Sequence, residues 1–253
     1  MENVKGILLD IGGVLYVGEQ PVSGALEAIA SLQGRYAMRF VTNSTRRPPG
    51  TIHAKLTKMG FEVEPSQLFT ALAAARQIVE EAGGKAVTIL TEEAEKYFGS
   101  LHCIDTASPF VVVGDAGENF NYPRMNRAFR TLMNGARLIA AAKNRYFKDA
   151  DGELSLDAGG FVTALEYAAG VEATVVGKPS PEFFRQALRS MGVAPEEAVM
   201  VGDDIESDIA GAQRAGIRAV LVRTGKFRPS DLEGGVKPDA VIDSVADLPA
   251  ILL

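Results

Sequence analysis

Residues 4–16 read Val4-Lys-Gly-Ile-Leu-Leu-Asp10-Ile-Gly-Gly-Val-Leu-Tyr16, and this stretch decides the fold. The apolar run before Asp10 is bounded by a turn signal, which predicts a buried strand. That strand leads into a turn at Gly12 and Gly13, where the lack of side chains lets backbone N–H groups approach a ligand closely. Asp10 is therefore a candidate nucleophile or metal ligand, although an Asp in this position is often only a turn former or a helix cap.

Length and composition indicate a globular protein with one large domain or two modest ones. The 253 residues are 47% hydrophobic and 23% charged, with a formal net charge of -6. Because Lys and Arg are scattered, we expect neither nucleic acid nor an anionic membrane as a partner. The single Cys103 cannot form an internal disulfide, and the sequence lacks a long apolar run or a leader pattern. These features favour a cytoplasmic protein.

A second strand is predicted to end beside the first. Residues 24–32 have helical spacing, and residues 38–42 form a strand pattern that ends in the polar cluster Thr42-Asn43-Ser44-Thr45. Two strands joined by one helix make a βαβ unit, so both strands should be parallel and end at the same edge of a sheet. Asp10 and Thr42 should therefore share the crevice where such sheets bind ligands.

The last third of the chain adds charged groups to this edge. Residues 173–176 are apolar and lead to Gly177-Lys178-Pro-Ser-Pro181, where the Ser-Pro pair predicts a helix start. Residues 198–201 read as a buried strand that runs into Gly202-Asp203-Asp204-Ile-Glu-Ser-Asp208. Four strand ends of one parallel sheet are thus expected to present Asp10, Thr42, Lys178, and the pair Asp203 and Asp208.

The intervening segment has an alternating set of strand and helix patterns of its own. We therefore predict an α/β fold with a Rossmann-like parallel-sheet core formed by residues 1–80 and 173–253. Residues 81–172 are predicted to form a second α/β domain inserted into this core.

Converging carboxylates predict a metal site. Two carboxylates in one crevice do not easily stay ionised together unless a cation lies between them, and hard oxygen ligands suit Mg²⁺. A hydroxyl, glycine-turn amides and an ammonium group beside that metal would hold a phosphoryl group. An Asp carboxylate can attack phosphorus and form an aspartyl phosphate. The pattern therefore favours phosphoryl-transfer chemistry.

Four motifs resemble those of the haloacid dehalogenase (HAD) superfamily: Asp10-Ile-Gly-Gly-Val, Val41-Thr-Asn-Ser, Gly177-Lys-Pro and Gly202-Asp-Asp-Ile-Glu-Ser-Asp208. The insertion resembles the C2-type cap of subfamily IIA, which contains sugar-phosphate, phosphoglycolate and nitrophenylphosphate phosphatases. Four further stretches resemble one branch of this subfamily, whose members act on pyrophosphate and phosphorus–nitrogen bonds. These stretches are Tyr146-Phe-Lys, Ala164-Leu-Glu-Tyr-Ala, Val176-Gly-Lys-Pro-Ser-Pro-Glu-Phe-Phe184 and Val222-Arg-Thr-Gly-Lys-Phe-Arg-Pro-Ser-Asp231.

The resemblance implies roles for the core residues. Asp10 would be the phosphorylated nucleophile, and Mg²⁺ would be held by the carboxylates of Asp10 and Asp203 and the carbonyl oxygen of Gly12. Asp204 and Asp208 would support this site. The phosphoryl oxygens would be held by a group of residues from the first three motifs: Gly12, Gly13, Thr42, Asn43, Ser44 and Lys178.

The resemblance also implies substrate-binding residues in the cap. Asn144 and a predicted loop at 157–160, with Asp157, Gly159 and Gly160, fall where such caps carry their specificity residues. The alternative is a polar turn with no contact to substrate. A homodimer formed through the cap is a further expectation from the resemblance.

Gly12 departs from the superfamily pattern, in which a second Asp two residues after the nucleophile serves as general acid and base. Positioned proton transfer typically contributes about 10²–10⁴-fold to a rate, and it matters most for poor leaving groups such as a sugar alkoxide. We therefore expect a preference for pyrophosphate or phosphorus–nitrogen bonds. The alternatives are a sugar-phosphate phosphatase, a phosphate-binding protein with weak catalysis, and a receiver-like signalling domain, which the large insertion disfavours.

Overall fold

The computed structural model of the protein describes residues 1, 3–148 and 153–252. The chain forms two compact units. The first unit comprises Met1–Thr42, Ile52–Phe69 and Lys178–Leu253, and the second comprises Asn43–Thr51 and Thr70–Gly177. The second unit thus begins about ten residues earlier than the insertion predicted from the sequence, and it also takes in the segment that follows Thr42.

Strands and helices alternate along both units. The strands are β1 (Gly6–Asp10), β2 (Tyr16–Val17), β3 (Gln20–Pro21), β4 (Ala37–Thr42), β5 (Leu68–Thr70), β6 (Ala86–Ile89), β7 (His102–Cys103), β8 (Phe110–Val113), β9 (Arg137–Ala140), β10 (Tyr146–Lys148), β11 (Leu154–Leu156), β12 (Thr174–Val175), β13 (Ala198–Gly202), β14 (Arg218–Val222) and β15 (Ala240–Ile242). The α-helices are α1 (Ala25–Leu32), α2 (Pro49–Lys58), α3 (Ala71–Glu81), α4 (Glu92–Phe98), α5 (Tyr122–Met133), α6 (Ala158–Ala169), α7 (Pro181–Arg189), α8 (Gly211–Arg214) and α9 (Leu248–Leu252), and a π-helical turn spans Ile205–Ala210. Within the described ranges, none of the helices has the length and apolar character needed to cross a bilayer.

A six-stranded sheet with the order β15-β14-β13-β1-β4-β5 forms the centre of the first unit. Strand β1 lies between β13 and β4 and is parallel to both, so the predicted βαβ unit is confirmed. All five residues of β1 are buried, because the strand lies in the interior of a parallel sheet. Strands that are covered on both faces in this way are apolar almost throughout. Ile7 and Leu9 share the core with Ile29 of α1, and burying each such side chain contributes about 1.5–3 kcal/mol. This packing fixes the strand end that carries Asp10.

A five-stranded parallel sheet with the order β12-β9-β8-β6-β7 forms the centre of the second unit. Helix α3 belongs to this unit because its apolar face, including Leu72 and Val79, packs in one cluster with Leu90 and Phe98. The sequence prediction had assigned this helix to the first domain. Its amphipathic spacing indicates a helix with one buried face but does not specify the core against which that face packs.

The structure contradicts the predicted place of the strand before Lys178. Strand β12 does not join the sheet that carries Asp10; it pairs with β9 in the second unit, with Thr174 opposite Ile139. A short apolar run such as residues 173–176 predicts a strand but does not specify its sheet. Lys178 is itself part of the first unit and lies in the segment before α7. It does not follow a strand of that unit's sheet.

Candidate active site

Three buried carboxylates lie together in the first unit. Asp10 is the last residue of β1, Asp203 directly follows β13, and Asp208 lies in the π-helical turn. One oxygen from each carboxylate lies within 4.8 Å of the others. Because β1 and β13 are adjacent and parallel, their carboxyl ends meet at one edge, as the sequence pattern predicted for Asp10 and Asp203.

Lys178 joins two of these carboxylates. Its Nζ donates to Asp10 Oδ1 at 2.5 Å and to Asp208 Oδ1 at 2.6 Å, and the lysine is only 3% exposed. Burial by itself lowers the pKa of Lys178, but the charges of Asp10 and Asp208 outweigh it, so the pKa is raised above its ordinary value. Lys178 is therefore a fixed ammonium group beside the end of β1.

Asp208 and Asp204 hold the turn that supports Lys178. The second carboxylate oxygen of Asp208 accepts the backbone N–H of Asp204 at 3.2 Å, so both oxygens of Asp208 have a donor. Asp204 in turn caps the π-helical turn by accepting the N–H groups of Glu206 at 3.1 Å and Ser207 at 3.0 Å. These contacts make Asp208 an orienting partner of the Lys178 ammonium.

The buried group carries an excess of negative charge. Burial, followed by repulsion from Asp10 and Asp208, raises the pKa of Asp203 to about 8. Burial also raises the pKa of Asp208 to about 6, although Lys178 opposes this shift. A divalent cation would relieve the repulsion, and a set of carboxylate oxygens is the donor set that Mg²⁺ prefers. The residues present therefore fit a magnesium ion.

Two glycines allow the backbone to approach Asp203. Gly13 and Gly225 have φ values of 84° and 66°, and a Cβ atom on either would lie 2.0 Å from Asp203 Oδ2. The same oxygen accepts the backbone N–H of Lys226 at 2.7 Å. Any other residue at these two positions would have to displace the carboxylate or the loop.

The sequence prediction missed the contribution of residues 224–226 to this site. They were part of a stretch that resembled related proteins, but they received no role. The strand-end rule could have found them, because β14 is parallel to β13 and adjacent to it, so the loop after β14 emerges beside Asp203.

Gly12 differs from Gly13 in its surroundings. It is exposed, its φ lies outside the left-handed region, and a Cβ atom there would meet nothing within 4 Å. Neither packing nor backbone conformation therefore requires glycine at this position.

The predicted phosphate-binding residues after β4 divide between the two units. Thr42 ends β4 in the first unit and is buried, whereas Asn43 and Ser44 begin the segment Asn43–Thr51 of the second unit. That segment is anchored inside the second unit, where Thr45 Oγ1 accepts the N–H of Asp115 at 2.7 Å. Arg46 Nε also lies 2.6 Å from Asp115 Oδ2.

The predicted loop at 157–160 is wrong, because these residues begin helix α6. Asp157 is the N-cap, and its carboxylate accepts the N–H of Ala158 at 2.6 Å. Gly159 N donates to Asn144 O at 2.9 Å, and a Cβ atom on Gly159 would lie 2.4 Å from that oxygen. Two adjacent glycines disfavour a helix in isolation, which explains the error. Asn144, Asp157, Gly159 and the exposed Gly160 thus lie in one region of the second unit, and their contact with substrate stays a prediction.

Comparison with known proteins decides the family. Residues 7–102 match a family model described as haloacid dehalogenase-like hydrolase, and residues 175–248 match a second model described as HAD-hydrolase-like. A human protein named phospholysine phosphohistidine inorganic pyrophosphate phosphatase is 43% identical over 262 aligned positions, which cover 100% of this chain and 96% of that protein. The chain belongs to the haloacid dehalogenase-like hydrolases. The family resemblance drawn from the four motifs is therefore confirmed.

Two further proteins are similar to this hydrolase over most of its length. A bovine protein named haloacid dehalogenase-like hydrolase domain-containing protein 2 is 44% identical over 229 residues, which cover 90% of this chain and 87% of that protein. The crystal structure of a 4-nitrophenylphosphatase from Thermotoga maritima matches with a TM-score of 0.90 and 27% identity, covering 98% of this chain and 97% of that one. The α/β fold with a Rossmann-like sheet is thus shared with known HAD phosphatases.

Proposed function

We propose that this hydrolase is a Mg²⁺-dependent phosphatase in which Asp10 becomes transiently phosphorylated. Membership of the family, together with full-length relatives that are named phosphatases, makes the chain a HAD-type phosphatase. The observation that carries the finer proposal is the buried contact of Lys178 with Asp10 and Asp208, with Asp203 beside it.

In this proposal Asp10 acts as the nucleophile. An oxygen of its carboxylate attacks phosphorus, the bond from phosphorus to the leaving group breaks, and an aspartyl phosphate forms. Water then cleaves this acyl phosphate, which releases inorganic phosphate and restores the carboxylate. Lys178 holds one oxygen of Asp10 at 2.5 Å, so the carboxylate is oriented before substrate arrives, and the ammonium charge stabilises phosphoryl oxygens in the transition state.

The metal requirement rests on the acidic group. The carboxylates of Asp10 and Asp203 and the carbonyl oxygen of Gly12 would hold Mg²⁺, which when bound neutralises charge on the phosphoryl group. The Thr42 hydroxyl and the turn at Gly13 would hold phosphoryl oxygens within the first unit. Asn43 and Ser44, which follow Thr42 in the chain, are proposed to add to this binding.

We propose that the substrates carry phosphoanhydride or phosphorus–nitrogen bonds. Two observations support this choice: no carboxylate stands at Gly12 to protonate a poor leaving group, and the human relative is named for pyrophosphate, phospholysine and phosphohistidine. A phosphate leaving from pyrophosphate is stable as an anion, whereas a sugar alkoxide requires a proton.

A substrate panel tests this proposal. With Mg²⁺ present, kcat/KM for pyrophosphate and phospholysine should exceed that for glucose 6-phosphate by about 10²-fold, the scale of a missing proton transfer. Chelation of Mg²⁺ should abolish turnover of every substrate. Faster cleavage of the sugar ester would favour the sugar-phosphate alternative, and the lack of phosphate release from any substrate would favour a binding protein.

Gly12→Asp should raise kcat/KM for sugar phosphates about tenfold or more, because the position has room for a carboxylate and would regain a general acid. The matched control is Gly235→Asp, since Gly235 is also exposed, has an ordinary φ and has open space around a Cβ atom. The measurement is the ratio of ester to pyrophosphate turnover. An unchanged ratio in Gly12→Asp would show that the missing carboxylate does not set the preference.

A further inference from the structure

The loop Thr224–Lys226, which follows β14, contacts three separate parts of the acidic site. We propose that this loop is a positioning element for the metal site. Thr224 fixes the glycine turn after Asp10, and Gly225 fixes the carboxylate of Asp203. The inference rests on the proposed function and adds positioning residues to it. No contact between these residues and substrate is required.

The first contact fixes Asp203. Its Oδ2 accepts the Lys226 N–H at 2.7 Å, and it lies where a Cβ atom of Gly13 or Gly225 would be 2.0 Å away. The carboxylate therefore lies against two glycine backbones and accepts a hydrogen bond from the adjoining peptide. With 2% of Asp203 exposed, little room is left for the carboxylate to rotate.

The second contact fixes the glycine turn. Thr224 Oγ1 donates to the carbonyl oxygen of Gly13, and Gly13 N donates to Tyr16 O at 2.8 Å. The peptide of Gly13 is thus held on both sides. Its neighbour Gly12 supplies the proposed carbonyl ligand of the metal, so the hydroxyl of Thr224 stabilises the turn that carries this ligand.

The third contact reaches the π-helical turn. Lys226 Nζ lies 3.2 Å from Asp204 Oδ2, and Asp204 caps the turn that carries Asp208. One short loop therefore touches Gly13, Asp203 and Asp204. Groups that orient metal ligands typically change metal affinity by about 10–100-fold when they are altered, which sets the scale expected here.

The test is Mg²⁺ binding by the intact protein, measured by titration calorimetry, together with kcat and KM for pyrophosphate at saturating Mg²⁺. Gly225→Ala should weaken Mg²⁺ binding by about 10–100-fold, because the new Cβ atom must displace Asp203 or the Gly13 backbone. Gly170→Ala is the matched control. Gly170 has the same φ of 66°, but a Cβ atom there meets nothing within 4 Å, so Gly170→Ala adds a side chain at a positive φ without a clash and should leave Mg²⁺ binding unchanged.

Thr224→Val gives a second test that does not depend on a glycine. Loss of one hydrogen bond should weaken Mg²⁺ binding by about 3- to 10-fold, and Thr224→Ser, which keeps the hydroxyl, should restore it. At saturating Mg²⁺ the kcat of Thr224→Val should recover, because the change acts on the metal site and not on the reacting atoms.

Two results would overturn the inference, and they are distinguishable. If the wild type binds Mg²⁺ and hydrolyses pyrophosphate while Thr224→Val and Gly225→Ala bind Mg²⁺ equally well and lose only thermal stability, the loop is merely structural. If the wild type neither binds Mg²⁺ nor releases phosphate, the proposed function itself is wrong. Should Gly225→Ala not fold, the comparison of Thr224→Val with Thr224→Ser decides.

Discussion

Asp10→Asn should lower the rate of phosphate release from pyrophosphate by about 10⁴-fold or more, which is the scale of losing a nucleophile that works as a unit with its neighbours. An amide of the same shape cannot form an acyl phosphate. Lys178 keeps its contact with Asp208 in this variant, so the buried ammonium retains a charged partner. The fold should therefore persist while turnover is lost.

Asp243→Asn is the matched control for this change. The Asp243 carboxylate is 79% exposed and pairs with Arg223 at 2.6 Å, so the substitution removes one negative charge that does not belong to the buried group of Asp10, Asp203 and Asp208. Phosphate release should be unchanged, because the loss of an exposed ion pair changes the free energy of unfolding by only about 0–1 kcal/mol and the fold is kept. Retention of turnover within tenfold of wild type in Asp10→Asn would contradict a nucleophilic role.

Asp203→Asn should weaken Mg²⁺ binding by at least about 10²-fold, and it should also stabilise the metal-free protein. Both effects have one cause, which is that an ionised carboxylate is unfavourable in this buried site unless a metal ion is bound. Burial and the neighbouring carboxylates raise the pKa of Asp203 to about 8, so a neutral amide costs less there at neutral pH than an ionised carboxylate.

The sign of the pH dependence follows from this raised pKa. Without metal, the folded protein keeps a proton on Asp203 that the unfolded chain loses near its ordinary value of about 4. The contribution of Asp203 to stability therefore falls as the pH rises from about 4 to 8. Asp203→Asn removes this slope.

Thermal unfolding in the presence of a chelator measures this effect. At about pH 8 the melting temperature of Asp203→Asn should exceed that of wild type by a few degrees, since about 1 kcal/mol corresponds to roughly 2–4 °C in a protein of this size. The difference should shrink toward pH 4. If Asp203→Asn is less stable than wild type throughout this range, Asp203 does not destabilise the metal-free protein. If the variant binds Mg²⁺ normally, Asp203 is not a metal ligand.

The core of the site could be predicted from the sequence because strand ends are local features. Asp10 and Asp203 each follow an apolar run, and the parallel order of β1, β4 and β13 brings the runs side by side. Thr42 is placed by the same rule. Apolar runs and turn residues were sufficient to predict where these strands end. The geometry of a parallel sheet then brings the strand ends to one edge.

Lys178 shows where the pattern was insufficient. Its pairing with Asp10 and Asp208 was consistent with the expected cluster, but the strand before it lies in the other sheet. Which sheet accepts a two-residue edge strand depends on packing partners far away in the chain. Helix α3 was assigned to the first domain for the same reason. Its packing against Leu90 and Phe98, which shows that it belongs to the second unit, has no signal in the local sequence.

The positioning loop and the start of α6 depended on contacts that have no local signature. The strand-end rule places Thr224-Gly225-Lys226 near Asp203, but the sequence does not show that its backbone lies against that carboxylate, because the approach also depends on Gly13, more than 200 residues away. The glycines after Asp157 were interpreted as a loop, whereas Gly159 is needed for close contact with Asn144 O. Close backbone approach is a tertiary property, and it overrides helix propensity at such positions.

The most direct measurement is chemical trapping of the aspartyl phosphate. Intact protein is mixed with pyrophosphate and Mg²⁺, quenched in acid and reduced with borohydride, which converts an acyl phosphate to homoserine, and the peptides are then analysed by mass spectrometry. We expect homoserine at Asp10 when substrate and Mg²⁺ are both present, and none when either is omitted or in Asp10→Asn. Turnover of pyrophosphate with no modification at Asp10, or with modification at another carboxylate, would contradict Asp10 as the nucleophile.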